Sequence, residues 1–124
     1  MTMPAPVKLR SAADAVYGPL VALDRALTAV GNNTTASLLG VSKSQPGRWR
    51  SRQEQMSAVN ASAIVALDAF LSLVLQVFTR EQATLWLVGS EPFLGGARPV
   101  DVFRLRGLAG VLPALQAVEQ GAFA

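Results

Sequence analysis

An all-α fold is predicted for this chain of 124 residues by three features of its sequence. Apolar residues recur at three- and four-residue steps through several stretches, the period of a helix with one buried face. No run alternates apolar and polar residues as a half-buried strand does. Glycines, prolines and Ser, Thr or Asn residues fall where helices begin and end. A chain of this length buries roughly two thirds of its unfolded surface, so its core needs no covalent staple.

Composition narrows the chemistry. There are no cysteines and no histidines. Disulfides, thiolate metal sites and the most common general base are therefore missing, and a reducing cytoplasm fits the cysteine usage. Asp14, Asp24, Asp68 and Asp101 show no spacing that pairs carboxylates for acid–base work, so neither an enzyme nor a small-ligand binder is expected, and no cofactor or metal. The net charge of +3 is unevenly placed. Five cations and no acid lie between Arg25 and Gln53, whereas the rest of the chain has six cations against eight acids. A basic block of this kind suits phosphates.

Residues 1–10 contain Pro4 and Pro6 and read as a loose arm, with no secretory signal after Lys8 and Arg10. Either cation could add a phosphate contact. Over residues 11–30, Val16, Leu20, Leu23, Leu27 and Val30 make one apolar stripe. Gly18-Pro19 interrupts it, so the stronger helix starts near Pro19, which is tolerated in a first turn. Gly31-Asn32 supplies the stop.

Residues 33–52 have the pattern of a helix-turn-helix. Asn33 or Thr34 can cap a short helix carrying Ala36, Leu38 and Leu39. Gly40 reverses the chain, and Val41 and Trp49 seat a second helix on the first. Trp49 is thus expected to pack rather than to stack on a base. Ser42 or Ser44 caps the second helix, the latter if Pro46 falls in its first turn. Ser42, Lys43, Ser44, Gln45, Arg48, Arg50 and Arg52 are then the candidate DNA-binding residues, suited to phosphates and base edges. Pro46-Gly47 is unusual inside such a reader.

The polar stretch 53–60 is expected to end on Asn60 as a cap. Residues 61–78 are the most hydrophobic in the chain, with Asp68 the only charge, and approach the length of a membrane span. Ser62, Asp68, Ser72 and Gln76 point instead to a central core helix or an oligomer interface. Thr79 and Gln82 form the capping box of the next helix, which carries Leu85, Trp86 and Leu87 and stops at Gly89. A loop with two prolines and two glycines follows, Pro99 opens another helix, and the last helix runs from about Leu108 to Gln120 before Gly121.

Within the carboxy-terminal third, Trp86, Pro92, Leu94-Gly95-Gly96, Arg98-Pro99, Asp101 and Gly121 resemble the toxin-binding domain of Xre/MbcA/ParS-type antitoxins, type II partners of RES-domain toxins. The resemblance covers residues 61–124, and the Xre-like helix-turn-helix ahead of it completes that architecture. Glu91 stands where many members carry Asn. The resemblance implies a flexible arm (1–10), a DNA-binding region (11–60) and a toxin-binding domain (61–124). It implies that the chain neutralises an NAD-consuming RES toxin without binding NAD and represses its own operon through operator DNA. A helix-turn-helix reader works as a dimer on two half-sites, and residues 61–78 offer apolar surface for one, so a homodimer or a larger hetero-oligomer with the toxin is expected. Pro92, Leu94, Gly95, Gly96, Arg98, Pro99, Asp101, Gly121, Ala122, Phe123 and Ala124 are the candidate toxin-binding residues, the last four entering or covering the toxin's cleft. A purely local role is the alternative for several of them. Pro92, Gly95, Gly96 and Pro99 can fix the backbone, Asp101 can cap the helix opened by Pro99, and Trp86 can be core. Phe123 is placed either on the partner or back on its own core. The rival to this function is a plain dimeric helix-turn-helix regulator without a toxin.

Overall fold

The structure, a computed structural model, describes residues 18–121. The expected arm at 1–10, the part of the first helix before residue 18, and Ala122, Phe123 and Ala124 lie outside the described residues. The fold is all-α, as predicted: α1 (Pro19–Leu39), α2 (Gln45–Arg50), α3 (Ala58–Val77), α4 (Arg80–Val88), a 3-10 turn (Pro92–Leu94), α5 (Pro99–Arg106) and α6 (Leu108–Glu119). No strand occurs among the described residues.

Pro19 occupies the first turn of α1, where its missing N–H costs nothing. The expected break falls at Gly31, whose φ of 84° and ψ of 172° are not helical. Helical structure resumes immediately afterwards, so neither Asn33 nor Thr34 serves as the cap expected there. Asn32 takes the structural role instead: its side-chain amide donates to the Lys43 carbonyl at 2.8 Å and ties the two sides of the following turn. Gly40, left-handed at φ 68°, closes α1 in a Schellman arrangement, with Val41 N–H on the Ala36 carbonyl at 3.0 Å and Gly40 N–H on that of Ser37 at 3.2 Å.

The long apolar helix starts three residues before the expected Ala61. Ser57, not Asn60, is its cap: the hydroxyl accepts from the Asn60 N–H at 3.1 Å, and Asn60 lies in the first turn. By length and composition α3 could cross a membrane. Its stripe of Ile64, Leu67, Phe70, Leu71 and Val74 is nevertheless buried within the protein, against α1, α4 and α6. This is the core position that its composition suggests.

Two clusters divide α3 along its length. Near its start, Ile64 meets Ala22, Leu23 and Trp49. Further on, Leu67, Phe70, Leu71 and Val74 bury with Ala26, Val30 and Leu38 of α1 and with Leu87, Val100, Phe103, Val111 and Leu115 of the last three helices. The larger core therefore crosses the line drawn at residue 60, because α1 packs on α3 more extensively than on α2.

The capping box of α4 is formed in full: Gln82 N–H reaches the Thr79 hydroxyl at 3.3 Å, and Thr79 N–H reaches the Gln82 side chain at 3.0 Å. Thr79→Ala removes one of these bonds and should lower stability by about 1 kcal/mol. Thermal denaturation followed by circular dichroism should show a midpoint lower by roughly 4 °C. An unchanged midpoint would remove the box from the list of stabilising features.

Candidate DNA and partner interfaces

The first candidate surface is built on the turn between α1 and α2. Ala36 and Trp49 are almost fully buried, and Val41 packs against the cluster around Trp49, as the helix-turn-helix pattern requires. The second helix is short. Six residues make about 9 Å of helix, because Pro46 is buried in its first turn and Arg52 turns left-handed (φ 63°) just after it. Ser44 occupies the cap position without making a capping bond. Its hydroxyl instead accepts from Arg48 Nη1 at 2.7 Å and lies 3.3 Å from that of Ser42.

The structure divides the expected DNA-binding residues into two groups. Arg48 is engaged locally, reaching Ser44, the Gln45 side-chain oxygen at 2.9 Å and Glu54 at 3.3 Å. Gln45 also donates to Glu54, at 3.0 Å. Arg50 pairs with Asp24 at 2.8 Å. The two acids that bracket the basic block in sequence thus fold back onto it. Exposed pairs of this kind add little to stability, but any phosphate at Arg48 or Arg50 must compete with these carboxylates. Lys43 and Arg52 are exposed and have no ion pair among the described residues. Glu54 is the residue that the sequence reading missed. It lies just beyond the acid-free run, and only the loop after α2 brings it to Arg48.

The second surface is the segment from Glu91 to Asp101. Glu91 organises it. Although only 5% exposed, its carboxylate accepts from the Trp86 indole N–H at 2.6 Å and from Phe93 N–H at 2.9 Å. Its carbonyl accepts from Leu94 and Gly96 N–H, and its own N–H donates to Ala97. Gly95 and Gly96 are left-handed in succession, at φ 68° and 90°. A side chain strains either position, so their backbone role is evident. Pro99 is buried in the first turn of α5. Trp86 is half-buried, tilted against Phe70 and Phe78 with ring centroids 6.4 and 5.5 Å away, and its edge faces the loop.

Asp101 does not cap α5, whose cap position is held by Arg98 without a side-chain bond. It forms a two-bond pair with Arg98 at 2.8 and 3.1 Å and lies 3.5 Å from Arg104. The Arg98 hydrogen bonds hold the Asp101 carboxyl below its ordinary range, and the guanidinium is raised in turn. Pro92, Leu94, Gly95, Gly96, Arg98, Pro99 and Asp101 are therefore gathered in one knit segment. Gly121 is not among them. It ends α6 in a left-handed turn, with its N–H on the Val118 carbonyl, about 16 Å along the helix from Gly110. Between the loop and the α5–α6 corner lies an open groove of about 460 Å³ that includes Leu94, Asp101 and Gly110.

No protein-family model and no curated protein matches the chain. Among solved structures, a chain of the crystal structure of the M. tuberculosis MbcT–MbcA toxin–antitoxin complex is similar, with a TM-score of 0.69 at 20% identity. The match covers 85% of this chain and 96% of that one. At that identity, the likeness is one of fold.

Proposed function

We propose that this chain is an antitoxin that binds and neutralises a cognate toxin through its carboxy-terminal third. The reading rests chiefly on the fold likeness, which runs through nearly the whole of a chain from a toxin–antitoxin complex. It is supported by the Leu-Gly-Gly-x-x-Pro-x-Asp run, here the ordered segment from Leu94 to Asp101. On this reading the partner is a RES-type, NAD-consuming toxin, and the chain itself performs no catalysis. The complex works in the cytoplasm. Its test is co-expression with the product of the adjacent reading frame. The full chain should restore growth, and deletion of residues 121–124 should abolish protection while leaving the helical circular dichroism unchanged. Full protection by the truncated chain would exclude a role for the tail.

The same proposal gives the α1–α2 surface an operator to bind and a repressing function. With Arg48 and Arg50 already paired, Lys43 and Arg52 are the cations most ready to meet phosphate. Each removed phosphate contact should flatten the dependence of log affinity on log salt by roughly one unit. Lys43→Ala with Arg52→Ala should therefore lower the slope for the operon's own promoter fragment by about two. A slope equal to that of the unmutated chain would sink this assignment.

A further inference from the structure

The groove beside the Glu91–Asp101 segment has features that the sequence motif does not account for. Phe93 is 55% exposed and Leu105 is 75% exposed, and both line the groove. Leu105 lies two residues from buried Phe103 and five from buried Val100 on α5, off the helix's core stripe. Nothing in the packing of the described residues explains a large apolar side chain there. None of the residues lining the groove is buried. The groove is therefore shallow and open, the shape of a protein-docking surface rather than of an enclosed small-ligand cavity.

Its charge is one-sided. Asp101, the carboxylate in the lining, is already held by Arg98 and Arg104. Arg106, also in the lining, has no carboxylate partner among the described residues. The lining's one carboxylate is thus neutralised by two guanidinium groups, while the lining's one cation, Arg106, is left without a carboxylate at the apolar groove. A nucleic-acid backbone would satisfy the cations but leave Phe93 and Leu105 against phosphates. A protein segment with an apolar side chain flanked by a carboxylate satisfies both.

We infer that the groove between Phe93 and Leu105 is the seat of the toxin, taking an apolar anchor beside a carboxylate that pairs with Arg106. This rests on the antitoxin reading and adds three contacts that the motif does not contain. Phe93 and Leu105 clasp the anchor, and Arg106 fixes the acid next to it. The segment from Leu94 to Asp101 then serves to hold Phe93 in place rather than to supply most of the contacts itself.

The test measures binding of the purified full chain to the purified product of the adjacent reading frame by calorimetry. Leu105→Asp and Arg106→Glu should each weaken binding at least tenfold with helical content and melting temperature unchanged, since both side chains are exposed. Arg80→Glu, an exposed cation on α4 away from the groove, should bind as the unmutated chain does. The affinity of the unmutated chain should fall as salt is raised, and less steeply for Arg106→Glu. If the unmutated chain binds and both groove variants bind equally well, the groove is not the seat, although the antitoxin reading stands. If the two variants instead convert a dimer to a monomer in light scattering while still binding the product normally, the occupant is a second copy and the inference fails. If the unmutated chain does not bind the product, the antitoxin reading fails, and this inference with it.

Discussion

Phe70→Ala should leave the protein largely unfolded at temperatures where the unmutated chain is stable. Phe70 is completely buried at the middle of α3. Its ring stacks on that of Phe103, with centroids 5.2 Å apart and planes within 8°, and is tilted 54° to Trp86. The side chain therefore joins α3 to α4 and α5 at one point. Removing a buried phenyl group costs about 3–5 kcal/mol, the transfer energy plus the cavity left behind. Domains of this size hold only about 5–15 kcal/mol in total. The melting midpoint should fall by about 15 °C or more. Phe70→Leu, which keeps an apolar side chain in the site, should cost less. A midpoint within a few degrees of the unmutated chain for Phe70→Ala would show that the core closes without this residue. Both proposed interfaces should weaken together in this variant, because α3 supports the α1–α2 turn at Ile64 and the loop side at Phe70.

Much of this architecture was legible because it depends on neighbours in sequence. Thr79 and Gln82 form a reciprocal cap three residues apart, and Gly40 turns the chain where the apolar spacing demands it. Residues 61–78 have too few polar groups for any place but a core or an interface. At the start of α3, competing caps account for the mismatch. Ser57 and Asn60 are both good N-caps, and the chain takes the earlier, moving Asn60 into the first turn. At the next level the limits are physical. Glu54 and Asp24 neutralise Arg48 and Arg50 through the paths of a loop and a neighbouring helix, which no local periodicity encodes. Reading the basic block as a free cationic face missed this. Leu105 did carry a signal, since it is out of step with Val100 and Phe103. What it faces depends on how α6 returns against the loop. Glu91 was legible only as a departure from a family pattern, whereas its buried carboxylate is the centre of the loop's hydrogen bonds.

That carboxylate gives the second large effect. Glu91→Ala leaves the Trp86 indole N–H and the Phe93 N–H without the acceptor that the buried Glu91 side chain supplies, at two partly buried bonds. A buried donor deprived of its partner costs about 1–3 kcal/mol, so the pair should cost about 2–6 kcal/mol, toward the lower end because both bonds are only partly buried. The backbone bonds from Glu91 to Leu94, Gly96 and Ala97 do not need the side chain, so the loop should loosen rather than unravel. Two measurements separate this from a general loss of stability. The Trp86 indole proton should exchange with solvent much faster in Glu91→Ala, even well below the melting temperature. Affinity for the proposed toxin should fall further than in Thr79→Ala, because Phe93 loses the bond that holds its backbone beside the groove. Glu91→Asn is the informative intermediate. Its shorter side chain can still accept from Phe93 N–H two residues on, in the manner of an Asx turn, but does not extend to the indole. It should keep most of the partner affinity while losing the protection of the Trp86 proton. If Glu91→Asn and Glu91→Ala weaken partner binding equally, the indole bond positions the loop. If neither changes binding or exchange, the buried carboxylate has no part in shaping this surface.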